Sequence, residues 1–284
     1  MYDLETLRRD ALSRRSFLAR MSAAGLGAAA IALLDGCDGT KKVNPKPNPV
    51  PTGNGIPDQT NFPNITGRNI NDAVLNYALT LERLEANLYL QALNAASGRA
   101  LNTALDSGTI AAGSTGNYAL KIAPGTISAQ FVQPAFLYLV QFAYVEAAHY
   151  TFLATALGAN AAPLTSTSGK YKFATADGTP GADLTTILTN VYPLEETGVR
   201  AYLGAAGFLT DETLVQTAAT IYSTECRHSA SLAYLLGLDP GPSKNIAGVP
   251  AGEQEVQPAT APNVFEKFLA PPVVLAAASK AYFA

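Results

Sequence analysis

The 284 residues suit one large domain or two small ones, and 48 % are apolar against only 14 % charged, about half the usual charged share, which excludes a highly charged disordered chain. Nineteen basic and 22 acidic residues leave a net charge of −3, without the basic footprint of a nucleic-acid binder. Two cysteines and two histidines exclude a disulfide framework and a zinc-finger array.

The N-terminus reads as an address. Residues 8–20 are basic, and Ala23 to Leu34 form a short apolar stretch interrupted by Gly25 and Gly27. That is the pattern of a secretory signal, too short to span a bilayer comfortably. Within it, Ser13-Arg14-Arg15-Ser16-Phe17-Leu18 resembles the twin-arginine motif, which implies export of an already folded protein. Leu34-Asp35-Gly36-Cys37 resembles a bacterial lipobox, with Asp35 where a small residue is usual. Two readings follow: lipidation of Cys37, which implies membrane anchoring, or ordinary cleavage near this point. Residues 38–66, rich in Pro, Asn, Gly and Lys, read as a flexible linker. The expected organisation is a signal over 1–37, a linker over 38–66, a helical bundle over 67–240 and an extension over 241–284.

Four segments carry apolar residues at helical spacing. The first is predicted from Asn71 to Ala96, with Asn71 or Asp72 as N-cap, and its inner stripe runs Leu75, Ala78, Glu82, Glu85, Tyr89, Ala92. The second is predicted from Ala129 to Leu157, with Ala135, Leu139, Phe142, Glu146, His149, Leu153 and Ala156 inward and Gly158 as the stop. A third, Asp183 to Ala206, places Leu188, Val191, Glu195, Gly198, Tyr202 and Ala205 on one face. The fourth, Asp211 to Leu236, places Leu214, Ala218, Ile221, Glu225, His228, Leu232 and Leu235 inward, and Gly237 closes it. Helices of this length, roughly 38 Å, are elements of a four-helix bundle. Pro193 predicts a kink in the third helix or the start of a new segment.

Each stripe carries a carboxylate at mid-helix, where burial is costly unless the group is paired or bound to metal. The segments also repeat. Leu81-Glu82 leads to Tyr89-Leu90 as Leu194-Glu195 leads to Tyr202-Leu203, and Glu146 and Glu225 both open the pattern E-x2-H-x3-L-A-x2-L-G. Residues at i and i+3 lie on one helical face, so Glu146 with His149, and Glu225 with His228, are each placed to share one ion. One Glu from each of two helices and a Glu-x-x-His from each of the other two make the donor set of a di-iron or di-manganese carboxylate site. Glu85 and Glu196 are rivals to Glu82 and Glu195; the seven-residue spacing to Tyr89 and Tyr202 favours the latter pair. Cys226 reads as a small core residue facing away from the ligand stripe.

On these motifs, residues 68–240 resemble the ferritin-like superfamily, whose bacterioferritin and rubrerythrin members share the ligand order. The export signal, the long inter-helix insertions and the first-helix run Leu81-Glu82-Arg83-Leu84-Glu85-Ala86 with Tyr89 are most similar to a ferritin-like group related to desiccation-associated proteins. The resemblance implies an all-α, ferritin-like four-helix bundle. It also implies Glu82, Glu146, His149, Glu195, Glu225 and His228 as ligands of two iron ions or, alternatively, two manganese ions. Tyr89 and Tyr202 match tyrosines that support such ligands, and Glu85 is a further supporting acceptor or a solvated residue at the stripe edge.

The expected function is an exported, periplasmic or cell-envelope protein whose partners are metal ions and small oxidants, oxidising Fe(II) or consuming dioxygen or peroxide in stress protection. The alternative is a non-enzymatic stress, desiccation or envelope structural protein with a closed metal site. An iron-storage cage suits the tether and insertions poorly, although a homo-oligomer is open. The connections over 97–128 and 159–182 are rich in small residues, with Lys170 to Ala174 as a strand candidate. Residues 239–263 read as coil. Val264 to Phe283 read as short helical pieces broken at Pro271-Pro272, covering the bundle or making an oligomer contact.

Overall fold

The computed structural model describes residues 59–96, 132–164, 184–241, 255–256 and 266–281. The signal, the Cys37 segment, the strand candidate at 170–174 and most of the linker and insertions lie outside them. Four long helices carry the fold: α1 (Ile70–Ala96), α2 (Val132–Leu157), α3 (Leu184–Ala206) and α4 (Glu212–Leu235). Helix α1 packs on α2 and α3 on α4, while α1 against α3 and α2 against α4 close the bundle. Two-residue strands β1 (Glu255–Val256) and β2 (Lys267–Phe268) form one antiparallel ladder, and a short helix α5 (Pro271–Ala281) follows. Among the described residues, no helix is long and apolar enough to cross a membrane.

Local chemistry sets the helix ends. Asp211 caps α4, its carboxylate accepting from the N–H groups of Thr213 and Leu214 at 2.8 and 3.1 Å. At the other end Gly237 takes φ +69°, and Leu238 N–H reaches back to the Ala233 carbonyl at 2.8 Å, the glycine-closed ending predicted there. Gly158, at φ +55°, likewise ends α2. The start of α1 differs from the prediction. Asn69, not Asn71 or Asp72, is the cap, accepting from Asp72 N–H at 2.9 Å. Asp72 instead holds Arg68 at 2.6 Å, and Asn71 ties α1 to the turn before α4 through Thr210. Helix α3 runs unbroken through Pro193, so the new-segment alternative falls.

Two buried polar residues of α1 fasten the approaching chain. The Asn76 amide donates to the carbonyls of Thr66 and Asn160 and accepts from Ala162 N–H, and Thr80 Oγ accepts from Leu164 N–H. The start of the link from α2 to α3 is thereby pinned to α1, as the long crossover of this topology requires.

The predicted stripe of α3 is buried throughout. On α2 the stripe drifts at its C-terminal end: Ala156 is exposed and Leu157, four residues after Leu153, is buried in its place. The C-terminal segment also departs from expectation. Pro271 and Pro272 begin α5 instead of breaking a helix, as suits residues whose missing N–H is not needed in a first turn. β2 and α5 lie against α3, with Leu269, Val274 and Leu275 in the main core. Leu269 N–H donates to the Arg200 carbonyl at 3.2 Å, an approach that Gly204 permits, because a Cβ there would sit 1.8 Å from the Leu269 oxygen. The segment therefore covers the bundle.

Candidate metal centre

Each long helix directs one mid-helix glutamate to the bundle axis, and Glu82, Glu146, Glu195 and Glu225 are all fully buried. The i, i+3 spacing brings His149 and His228 onto the same faces as Glu146 and Glu225. His149 Nδ1 lies 3.2 Å from Glu82, 3.1 Å from Glu146 and 3.5 Å from Glu225. His228 Nδ1 lies 2.7 Å from Glu146 and 3.3 Å from Glu195. Glu146 thus reaches one histidine with Oε2 and the other with Oε1. The six side chains form two overlapping clusters, Glu82–Glu146–His149–Glu225 and Glu146–Glu195–Glu225–His228, with donor atoms in each within 4.8 Å of one another. Glu146 and Glu225 belong to both.

The electrostatics of this arrangement call for cations. Burial, then the neighbouring carboxylates, push Glu85 and Glu225 well above the ordinary range; Glu146 is pushed the same way, the nearby His228 offsetting part of it. Burial alone lowers the His228 imidazole, but the carboxylates of Glu146 and Glu195 outweigh it and hold it up at about 9. Both oxygens of Glu225, Glu146 Oε1, Glu195 Oε2 and His228 Nδ1 are buried without a hydrogen bond. The 2.7 Å approach of His228 to Glu146 is off the line of one. Buried donor atoms left this way are costly, and a divalent ion between them satisfies several at once. Four carboxylates match the charge of two divalent ions, and the imidazoles add one nitrogen to each cluster. The residues fit a metal pair.

The surrounding side chains fix the carboxylates. Tyr89 on α1 donates to Glu195 on α3, and Tyr202 on α3 donates to Glu82 on α1. The seven-residue spacing puts each tyrosine two turns from its own helix's glutamate; the reciprocal crossing between helices is what the spacing alone did not reveal. Burial first, then the facing glutamate, raise both phenols well above their ordinary value, so they stay protonated donors.

Glu85 is also buried, at 2 % exposure, with Oε1 beside Gly198 and close to Glu225. It is no solvated stripe-edge residue. Glu196 turns elsewhere, accepting from Ser229 Oγ and from Arg200 at 3.1 Å, while the buried Arg200 also lies 3.7 Å from Glu266. Cys226, expected as a small core residue, is half-buried near Tyr222. Phe142 stacks on His228 with ring centroids 3.9 Å apart, a shield that the stripe placed but did not identify. On the opposite flank the His149 side chain is 16 % exposed.

A family model described as a ferritin-like domain matches residues 71–238, which include all four long helices and both clusters. No curated protein matches the chain.

Proposed function

The chain belongs to the ferritin-like domain family, and from that premise we propose that its two clusters hold a pair of iron ions, or alternatively manganese ions, and react with dioxygen or peroxide. The observation that carries this reading is the sharing of Glu146 and Glu225 between the clusters, since a carboxylate with one oxygen on each side can bridge two ions. Glu82 with His149, and Glu195 with His228, are then the end ligands. Such a pair, when bound, supplies the redox equivalents of ferroxidase, peroxidase or catalase chemistry.

The chain's own residues set the conditions for that chemistry. Tyr89 and Tyr202 hold Glu195 and Glu82 in one orientation, so these ligands need not reorganise when ions arrive. Phe142 covers the His228 ring, whereas the His149 side chain keeps 16 % of its surface exposed. That partial exposure of a ligand supports a reactive centre over a closed structural metal site. The paired arginines Arg14 and Arg15 and the Cys37 segment support export to the periplasm or cell envelope, with lipidated Cys37 as the anchor and stress or desiccation protection as the setting.

Elemental analysis with Fe(II)-oxidation, oxygen-consumption and peroxide-consumption assays tests the reading. Two redox-active metals per chain and turnover of either oxidant are expected; a loaded but inert centre would move the protein to the structural alternative. Changing Arg14 and Arg15 together to Lys should trap precursor in the cytoplasm, and normal export would discard the twin-arginine route.

A further inference from the structure

A second feature lies beside the centre. Between α1, α3 and α4, with Leu153 of α2 also in its wall, lies a cavity of about 20 Å³. Its rim is formed by half-buried Leu209, Leu214 and Thr217, and its inner wall by buried Tyr77, Leu81 and Tyr202. No charged residue lines it. Three hydroxyl-bearing residues contribute to the wall. Tyr202 donates to Glu82, and Thr217 Oγ donates to the Thr213 carbonyl at 2.9 Å, so both are engaged. The Tyr77 hydroxyl alone is buried without a partner.

This chemistry selects the occupant. The volume suits one or two molecules the size of water, but a buried water needs roughly two to four polar partners, and the wall offers one. Apolar cavities of this kind stay dry and accept apolar guests. Position adds a use. Tyr202 is part of the wall, and its hydroxyl is bound to a carboxylate of the centre; Leu81, also in the wall, precedes that same Glu82 in the chain. A guest here is one side chain away from the clusters.

We propose that this cavity is a binding site for dioxygen, holding it against Tyr202 beside the centre; the proposal rests on the oxidant-consuming reading above and names the oxidant. Dioxygen is diatomic and apolar, and it loses little on leaving water. Hydrogen peroxide donates and accepts hydrogen bonds, so it would pay a desolvation cost here that the wall cannot return. No bond is made or broken in the cavity, which concentrates the gas and sets its direction of approach.

Crystals of the wild-type protein under xenon pressure test the site, because xenon is an apolar probe that needs no metal. Xenon is expected in the cavity. Ala218→Leu, which fills the cavity from α4, should exclude xenon and raise KM for dioxygen several-fold, with metal content and KM for peroxide unchanged. Ala78→Val fills it from α1 and repeats the test should the first variant fail to fold. A wild-type cavity without xenon, or filled variants with wild-type KM for dioxygen, would overturn the proposal. So would equal slowing with both oxidants, which marks damage to the centre. Xenon uptake by a wild-type protein that binds no metal would instead defeat the parent reading and leave a gas-binding cavity in place.

Discussion

Glu82 and Tyr89 on α1 hold the same places as Glu195 and Tyr202 on α3, and each tyrosine donates to the other helix's glutamate. Beyond those four positions the two helices part. Where α1 carries Glu85, α3 carries Gly198, and the buried Glu85 carboxylate lies over the space the glycine leaves. Where α1 carries Arg83, α3 carries Glu196, bound to Ser229 and Arg200. Among the described residues, the C-terminal segment makes its main contacts on α3, through Gly204 and the Arg200–Glu266 contact. The repeat is thus kept at the glutamate and tyrosine positions of the centre, and abandoned beside them at Glu85 and Gly198 and where α3 meets the covering segment.

The sharpest way to break that comparison is to remove a matched carboxylate and an unmatched one. Glu82→Ala and Glu195→Ala should each lose metal, whereas Glu85→Ala should retain both ions with a modest loss of affinity, as elemental analysis would show. If Glu85→Ala emptied the centre while Glu82→Ala left it full, the matching of α1 to α3 would be wrong.

Metal removal should have the next largest effect, and pH should reveal it. Without ions, burial and mutual repulsion hold Glu85, Glu146 and Glu225 well above their ordinary 4.5, so the folded state keeps protons that the unfolded chain releases. Stability then falls as pH rises from about 4.5. His228, at about 9 against an ordinary 6.5, contributes stability present below 6.5 and lost as pH rises through about 9. Chelated protein should therefore melt higher near about pH 5 than near about pH 8.5, while loaded protein should do the reverse, because protons compete with metal for the ligands. Parallel melting curves for the two forms would contradict the cluster.

Smaller effects test the outer face. Glu196→Ala leaves the buried Arg200 with its weaker partner at Glu266, and denaturant titration should show a loss of about 2 kcal/mol with metal content intact. Metal loss in that variant would return Glu196 to the ligands. Smallest of all, Tyr89→Phe and Tyr202→Phe should cost similar amounts, about 1–2 kcal/mol each by the same titration. A large difference between them would show the halves to be inequivalent even at the centre.

Much of this was legible in the sequence, because bundle helices write their inner faces at a fixed period. The helix ends fall within a few residues of those predicted, since Asp211, Gly158 and Gly237 act through their own backbone neighbours. The six centre-facing residues could be picked out because a carboxylate on an apolar stripe is anomalous. What escaped depends on partners distant in sequence or on chemistry with two readings. The cap fell to Asn69 and not to Asn71, whose side chain is bound to Thr210, 139 residues away. Pro271-Pro272 was expected to break a helix and instead opens one, because a proline that disrupts a helix interior is also suited to a first turn. Ser229 and Arg200 gave no sign that they would hold Glu196, because that network joins α4 to α3 and the C-terminal segment.

The central claim is that Glu146 and Glu225 are shared between two ions, and counting metal per chain tests it most directly. Purified wild-type protein loaded with iron should bind two ions per chain, separated by a distance that places one in each cluster by anomalous scattering, and Glu146→Ala should lose both together. One ion per chain in the wild type, or a Glu146→Ala variant that keeps one cluster fully occupied, would contradict a shared bridge.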